Sequence, residues 1–207
     1  MLQVRKFYLL IFMLLPLQAV AQQPEVETPH QVVERISRDV LSALEETRSL
    51  FSSDPQAFYD AIGEAVAPAV DFERMAYLVM DQRYYSRSTT EQRQRFVEVF
   101  RESLIETYAR GLISVTDTNF SISEPDPDEA GQSTVDVEQT LSDGSDSIRV
   151  VYSMRRGSDG KWLLNNVIIE GINLGRTFRN QFAQLASRYS EDLDRVIANW
   201  SPEDVSG

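Results

Sequence analysis

The chain has 207 residues, no cysteine, one histidine and a formal net charge of −12, from 20 basic and 32 acidic residues. The missing thiols exclude disulfides, thiolate metal sites and thiol nucleophiles, and the acidic balance argues against nucleic acid and against adsorption to an anionic bilayer. His30, the only histidine, lies close to the N-terminus, so a Ser-His-Asp triad has no base in the body of the chain.

The first residues predict export. Arg5 and Lys6 precede an apolar core from Phe7 to Leu17, and Ala19-Val20-Ala21 offers a small-x-small cleavage pattern. The core is too short to span a bilayer comfortably, and Pro16 interrupts it. We therefore read residues 1–21 as a signal peptide and residues 22–207 as a single domain, soluble in the periplasm. Losing Arg5 and Lys6 takes the net charge from −12 to −14. No cysteine follows the cleavage site to carry a lipid anchor.

The next stretch reads as helix. Thr28-Pro29 is an N-cap followed by proline at the first helical position. Val32, Ile36, Val40, Leu44 and Phe51 recur behind it at helical spacing. Asp54-Pro55 restarts the signal, with Phe58, Ile62 and Val66 on one face, and Pro68 ends it. Asp71 caps a third helix bearing Phe72, Met75, Leu78 and Val79. Arg83-Tyr84-Tyr85 reads as a loop, and Ser88-Thr-Thr-Glu91 as a capping box opening a fourth helix. In that helix Phe96, Phe100, Leu104, Tyr108 and Leu112 fall four apart, and Val97 and Ile105 widen the stripe to about half the circumference. Such an arc suits a helix wedged between two layers. It also suits a helix that packs a sheet on one flank and lines a cavity on the other.

The period then changes to two. Phe120 and Ile122 form a short strand closed by Pro125 and Pro127. Val135, Val137 and Leu141 alternate with Thr134, Asp136, Glu138 and Thr140. Ser142-Asp143-Gly144 turns the chain into a strand carrying Ile148, Val150, Tyr152 and Met154. Gly157 to Gly160 turns it again into Trp162–Ile169. That last run is apolar on both parities and reads as a strand buried on both faces. Short turns imply antiparallel hairpins, hence a meander of about four strands. Helix resumes from Leu174 to about Arg188, and a short one from Glu191 to Trp200 carries Leu193, Val196, Ile197 and Trp200. Residues 22–27 and 201–207 read as loose ends.

The fold class that follows is α+β: helices packed on a curved antiparallel sheet, an NTF2-like or cystatin-like cone enclosing an apolar cavity. No metal-ligating or phosphate-loop motif is present. The acidic residues fall mostly on solvent-facing helix positions, so no acid–base pair stands out.

The order Pro68-x-x-Asp71-Phe72, Gln92-Arg93-x-x-Phe96, Thr107-Tyr108-Ala109, Trp162, Ile169-Glu170-Gly171-Ile172 and Arg179-Asn180-Gln181-Phe182 resembles the periplasmic phospholipid-shuttle family of the Mla (maintenance of lipid asymmetry) system, also called the toluene-tolerance auxiliary family. The resemblance covers about Val32 to Trp200. It departs at Ile172-Asn173, where a small hydroxylated residue is expected after the glycine, and no role is assigned there.

The resemblance implies a carrier and not an enzyme, with no cofactor. It would move phospholipid between an outer-membrane lipoprotein-porin complex and an inner-membrane ABC transporter bearing a lipid-binding ring protein. Acyl chains would lie between sheet and helices with the headgroup outside. On this reading Met75, Val79, Phe100, Leu104 and Tyr108 form the helical wall of the lipid site. Val137, Val150, Tyr152, Leu164 and Ile168 form the sheet wall, and Arg83, Arg87, Arg176 and Arg179 sit at the mouth. A slip of one residue would exchange the sheet faces. Two other classes stay open: a hydrolase or isomerase on a similar scaffold, which needs a group such as Asp136 or Glu138 inside the cavity, and a structural interaction domain with a filled core.

Overall fold

A computed structural model describes residues 27–113, 119–143 and 146–202. The expected signal peptide and the turn at Gly144 lie outside the described residues.

Helix α1 (Pro29–Thr47) starts where Thr28-Pro29 predicts. The Thr28 hydroxyl accepts from the Gln31 N–H at 3.2 Å, and the Gln31 side chain accepts from the Thr28 N–H at 2.8 Å. A 3-10 turn (Arg48–Ser52) leads to α2 (Pro55–Val66), capped by Asp54. A second 3-10 turn (Ala67–Ala69) surrounds Pro68. Asp71 then caps α3 (Phe72–Tyr85), its carboxylate accepting from the Arg74 N–H at 3.0 Å.

The sequence suggested a loop at Arg83-Tyr84-Tyr85, but these residues belong to α3. The irregularity falls earlier, at Asp81, whose φ is 59°. The extra turn buries Tyr84, whose ring centroid lies 5.4 Å from that of Phe182.

Helix α4 (Thr90–Leu112) begins one residue later than expected. The capping box is Thr89 with Gln92, at 3.2 and 3.0 Å, and not Ser88 with Glu91. The buried Ser88 hydroxyl is committed elsewhere: it donates to the Tyr85 carbonyl at 2.8 Å and accepts from Arg93 Nε at 2.9 Å. Thr89→Ala is expected to cost about 1 kcal/mol and lower the melting midpoint by about 2–4 °C. An unchanged midpoint in thermal unfolding would show that the cap does not hold this helix.

The wide apolar arc of α4 is shared between two helical layers. Phe96, Phe100, Leu104 and Tyr108 join a core with α3 and the C-terminal helices. Ala109 and Leu112 join Leu44, Phe58 and Ile62 of α1 and α2. The close α2–α4 approach depends on Gly63, where a Cβ would lie 3.0 Å from Ile105 Cδ1.

The sheet is open and antiparallel throughout, with strands β1 (Asn119–Ile122), β2 (Thr134–Asp143), β3 (Asp146–Arg156), β4 (Trp162–Ile169) and β5 (Ile172–Asn173) in sequential order. The meander is as expected. The fifth strand, only two residues long, was not visible as a periodic pattern.

The doubly apolar run in β4 has a different cause from the one expected. Ser153 pairs with Asn166 but Met154 pairs with Leu164, so Asn165 is an extra residue, a β-bulge. A bulge exchanges the two faces beyond it. Trp162 and Leu164 before it, and Val167 and Ile169 after it, therefore share the inner face with Val135, Val137, Gln139, Val150, Tyr152 and Met154. Ile168, in register with Val151, stands on the outer face.

Beyond β5 the chain enters α5 (Leu174–Arg188), then α6 (Leu193–Ala198). The last helix starts later than the sequence suggested, because Ser190 and Glu191 take positive φ of 53° and 61° and Asp192 is the cap. Of the two expected loose ends only Glu27, Ser201 and Pro202 are among the described residues, and Glu27 and Pro202 are held. Both Glu27 carboxylate oxygens accept from Arg35 at 2.9 Å, and Pro202 is buried.

Two core clusters flank the inner face of the sheet. One gathers α3, α4, α5, α6 and Trp200, with half-buried Val167 and Ile169 against it. The other packs Val32 and Val33 of α1 on Val135, Val137, Met154, Trp162 and Leu164. Val70 and Val167 touch both clusters.

Candidate functional site

The larger cleft has a volume of about 300 Å³. Helix α3 supplies Met75, Leu78 and Val79, α4 supplies Phe100, and α5 supplies Gly175, Arg176, Phe178 and Arg179. The edge of β4 and the start of α5 supply Asn165, Asn166 and Asn173. The floor is apolar, since Met75, Val79, Phe100 and Phe178 all belong to the helical core. The rim is polar and cationic. A shallower cleft of about 200 Å³, lined by Ser103, Glu106, Thr107, Arg110 and Ser201, has no apolar floor.

The asparagines hold the α5 end of the cleft in shape. Asn166 Oδ1 accepts from the Gly175 N–H and Asn173 Oδ1 from the Arg176 N–H, both at 3.0 Å. The helix end is thereby capped from two sides. A Cβ at residue 175 would lie 2.7 Å from Asn166 Oδ1, so glycine is required for this approach. Asn165 and Asn166 lie at the bulge in β4, and both line the cleft.

Of the expected helical wall, Met75, Val79 and Phe100 line this cleft. Leu104 and Tyr108 continue the same α4 stripe as half-buried members of the helical core, and the Tyr108 ring lies 6.5 Å from Phe178. Of the expected sheet wall, Val137, Tyr152 and Leu164 lie together in the cluster under α1. Val150, also buried, is on their face, in register with Gln139 and Ile169. Ile168 does not join them, because of the bulge.

The four expected mouth arginines separate into two pairs. Arg176 and Arg179 line the cleft, with Arg179 Nε donating to the Leu78 carbonyl at 2.9 Å. Arg83 and Arg87 do not line it. Both donate to the Glu191 carboxylate, tying α3 and the turn after it to the α5–α6 turn. The hydrogen bond from Arg87, reinforced by the charges of both arginines, holds the Glu191 carboxyl below the usual carboxylate range. Arg95 and Gln92 engage Asp194 in the same way.

A polar chain that no sequence pattern signals lies inside the sheet–α1 layer. Tyr152 Oη donates to Gln139 Oε1 at 2.7 Å, Gln139 Nε2 donates to Ser37 Oγ at 2.7 Å, and Ser37 donates to the Val33 carbonyl at 2.8 Å. Burial pushes the Tyr152 phenol pKa up, so it stays a neutral donor. Gln139 occupies an apolar position of the β2 alternation, and only its partners reveal why a polar residue is stable there. Asp136 and Glu138 alternate to the outer face of β2. Asp136 is exposed, and Glu138 faces Arg149 at 3.4 Å.

An amphipathic cleft of this kind suits a ligand with an apolar body and an anionic end. Among the described residues no helix is long and apolar enough to cross a membrane, and no three His, Cys, Asp or Glu side chains gather to hold a metal.

Comparison with known proteins gives the same direction. Toluene tolerance protein ttg2D of Pseudomonas putida is 32% identical over 199 residues, covering 96% of this chain and 90% of that protein. The intermembrane phospholipid transport system binding protein MlaC of Haemophilus influenzae is 21% identical over 177 residues, covering 84% and 82%. Among solved structures, a phospholipid-binding protein from Ralstonia solanacearum, in complex with a phospholipid, superposes with a TM-score of 0.73 at 25% identity, covering 83% of this chain and 98% of that one. The family model described as MlaC protein matches residues 34–202. With nearly all of the described residues inside that match, the chain belongs to the MlaC protein family.

Proposed function

We propose that this protein is a phospholipid carrier. The observation that carries the reading is the cleft with an apolar floor of Met75, Val79, Phe100 and Phe178 beneath the Arg176 and Arg179 rim, in a chain of the MlaC family. Each buried methylene contributes about 0.8 kcal/mol, so two acyl chains bind firmly without headgroup contacts. Burying a charged headgroup would be costly, and the rim leaves it at the surface.

A cleft of about 300 Å³ lies at the lower end of the roughly 300–1,000 Å³ that drug-sized ligands occupy, so a diacyl lipid requires it to widen. The wall that yields on this reading is the seam between the two core clusters. Val70 and Val167 touch both clusters there; Leu104, Tyr108 and Ile169 belong to the helical side, Tyr152 to the sheet–α1 side, and buried Val150 stands in register with Ile169. Val137 and Leu164 lie deeper under α1.

The route follows the same logic. Residues 1–21 direct export and are removed, and residues 22–207 act as one domain in the periplasm. This domain takes phospholipid from one membrane complex and delivers it to the other, between the outer-membrane lipoprotein-porin complex and the inner-membrane ABC transporter with its ring protein. The enzyme reading lacks support, because Asp136 and Glu138 alternate away from the interior.

Protein purified without detergent and extracted into organic solvent is expected to release phospholipid, detected by mass spectrometry in near-stoichiometric amount. An empty extract, with no uptake from vesicles by the stripped protein, would overturn the reading.

A further inference from the structure

Of the 17 described arginines, eight meet a carboxylate and the two rim arginines do not. Arg35, Arg38, Arg83, Arg87, Arg95, Arg110, Arg149 and Arg155 each meet a carboxylate. That is the expected fate of arginine where 32 acidic residues face 20 basic ones. Arg176 and Arg179 meet none among the described residues, although they are neighbours on one face of α5 at i, i+3. Both line the cleft, and no Asp or Glu lines it with them.

The asparagines add to this asymmetry. Asn166 and Asn173 use their side-chain oxygens on the N–H groups of Gly175 and Arg176. Their NH₂ groups are left as donors. The rim therefore presents two guanidiniums and the NH₂ groups of Asn166 and Asn173, beside Asn165. Such a rim matches an anionic acceptor and holds no carboxylate for a second cation. Guanidinium and phosphate oxygens form short, charge-assisted hydrogen bonds.

We propose that the Arg176–Arg179 rim recognises the phosphodiester anion of a lipid headgroup and makes the protein select phospholipids of net negative charge over zwitterionic ones. The inference rests on the carrier reading and adds a headgroup class to it. A zwitterionic headgroup brings an ammonium toward the second arginine, whereas an anionic headgroup leaves that arginine its counter-charge. The overall negative charge does not cancel the effect, because distant carboxylates are screened over a Debye length of about 8–10 Å, while the rim acts in contact.

The test uses protein stripped of lipid and incubated with vesicles of equimolar phosphatidylglycerol and phosphatidylethanolamine with identical acyl chains. Bound lipid is then extracted and quantified by mass spectrometry. Phosphatidylglycerol is expected to be enriched about threefold to fivefold, the ratio that one exposed ion pair supplies. The Arg176→Gln/Arg179→Gln variant is expected to load the two lipids in equal proportion. Arg176→Gln alone, which removes no hydrogen bond of the fold, should lose part of the enrichment and guards against misfolding of the double variant. Loading without preference, or a preference that both variants keep, overturns the inference while leaving the carrier reading intact. No loading of either lipid overturns the carrier reading itself. Calorimetric titration with inorganic phosphate separates a free anion from a headgroup. Phosphate binding that depends on both arginines, without phosphatidylglycerol enrichment, overturns the lipid assignment.

Discussion

Leu104→Asp is expected to cut the phospholipid carried by the folded protein at least about tenfold. Leu104 sits half-buried on the α4 stripe, between fully buried Phe100 and half-buried Tyr108. Its side chain packs against the helical core that also floors the cleft, which a diacyl lipid must widen. A carboxylate there would face hydrocarbon whenever lipid is bound and water whenever it is not. Desolvating an unpaired carboxylate costs several kcal/mol, and about 1.4 kcal/mol is already a factor of ten. The stripped protein tolerates the change better, because the position is not sealed. Extraction and mass spectrometry of the variant, beside far-ultraviolet circular dichroism, separates lost loading from lost fold. Ile168→Asp is the matched control, because the bulge puts Ile168 on the outer face. It should leave loading intact. Normal loading in folded Leu104→Asp would place this part of α4 outside the lipid path.

That control also shows where the sequence was legible and where it was not. Helix caps at Thr28, Asp54 and Asp71 were readable because each is a local side chain–backbone bond within three residues. The meander was readable from its turns. The inner face of β4 was not, because parity counting assumes a regular strand and Asn165 breaks it. Trp162, Leu164, Val167 and Ile169 are one face read across a slip, and the apparent double burial was that slip. The Asn165-Asn166 pair inside an apolar run is the only local trace of it.

The same distinction divides the site. Helical periodicity put Met75, Val79 and Phe100 on apolar faces, the family resemblance made them a lipid wall, and they line the cleft. Arginine positions carry no periodic signal, and the pairing of Arg83 and Arg87 with Glu191 spans more than a hundred residues. Only the fold tells them apart from Arg176 and Arg179. Gln139 is a similar case: its partner Ser37 lies on another element, so its burial could not be read from β2 alone.

Phe182→Ala is expected to produce the largest loss of stability, about 3–5 kcal/mol, or roughly 6–20 °C in the melting midpoint at 2–4 °C per kcal/mol. Phe182 is fully buried on α5. Its ring centroid lies 5.0 Å from Phe96 on α4, 5.4 Å from Tyr84 on α3 and 6.0 Å from Trp200 beyond α6. One side chain on α5 thus meets aromatic rings from three other segments, and its removal leaves a cavity that no single neighbour can fill. The surrounding rings are rigid and already engaged with one another, as in the Phe96–Trp200 and Phe100–Phe178 contacts at 5.5 and 6.1 Å, so relaxation recovers little. Because Phe182 lines neither cleft, the variant should bind phospholipid normally at temperatures well below its lowered midpoint. A small midpoint shift would mean that the helical layer repacks, and a selective loss of lipid binding in the cold would mean that acyl chains reach this deep.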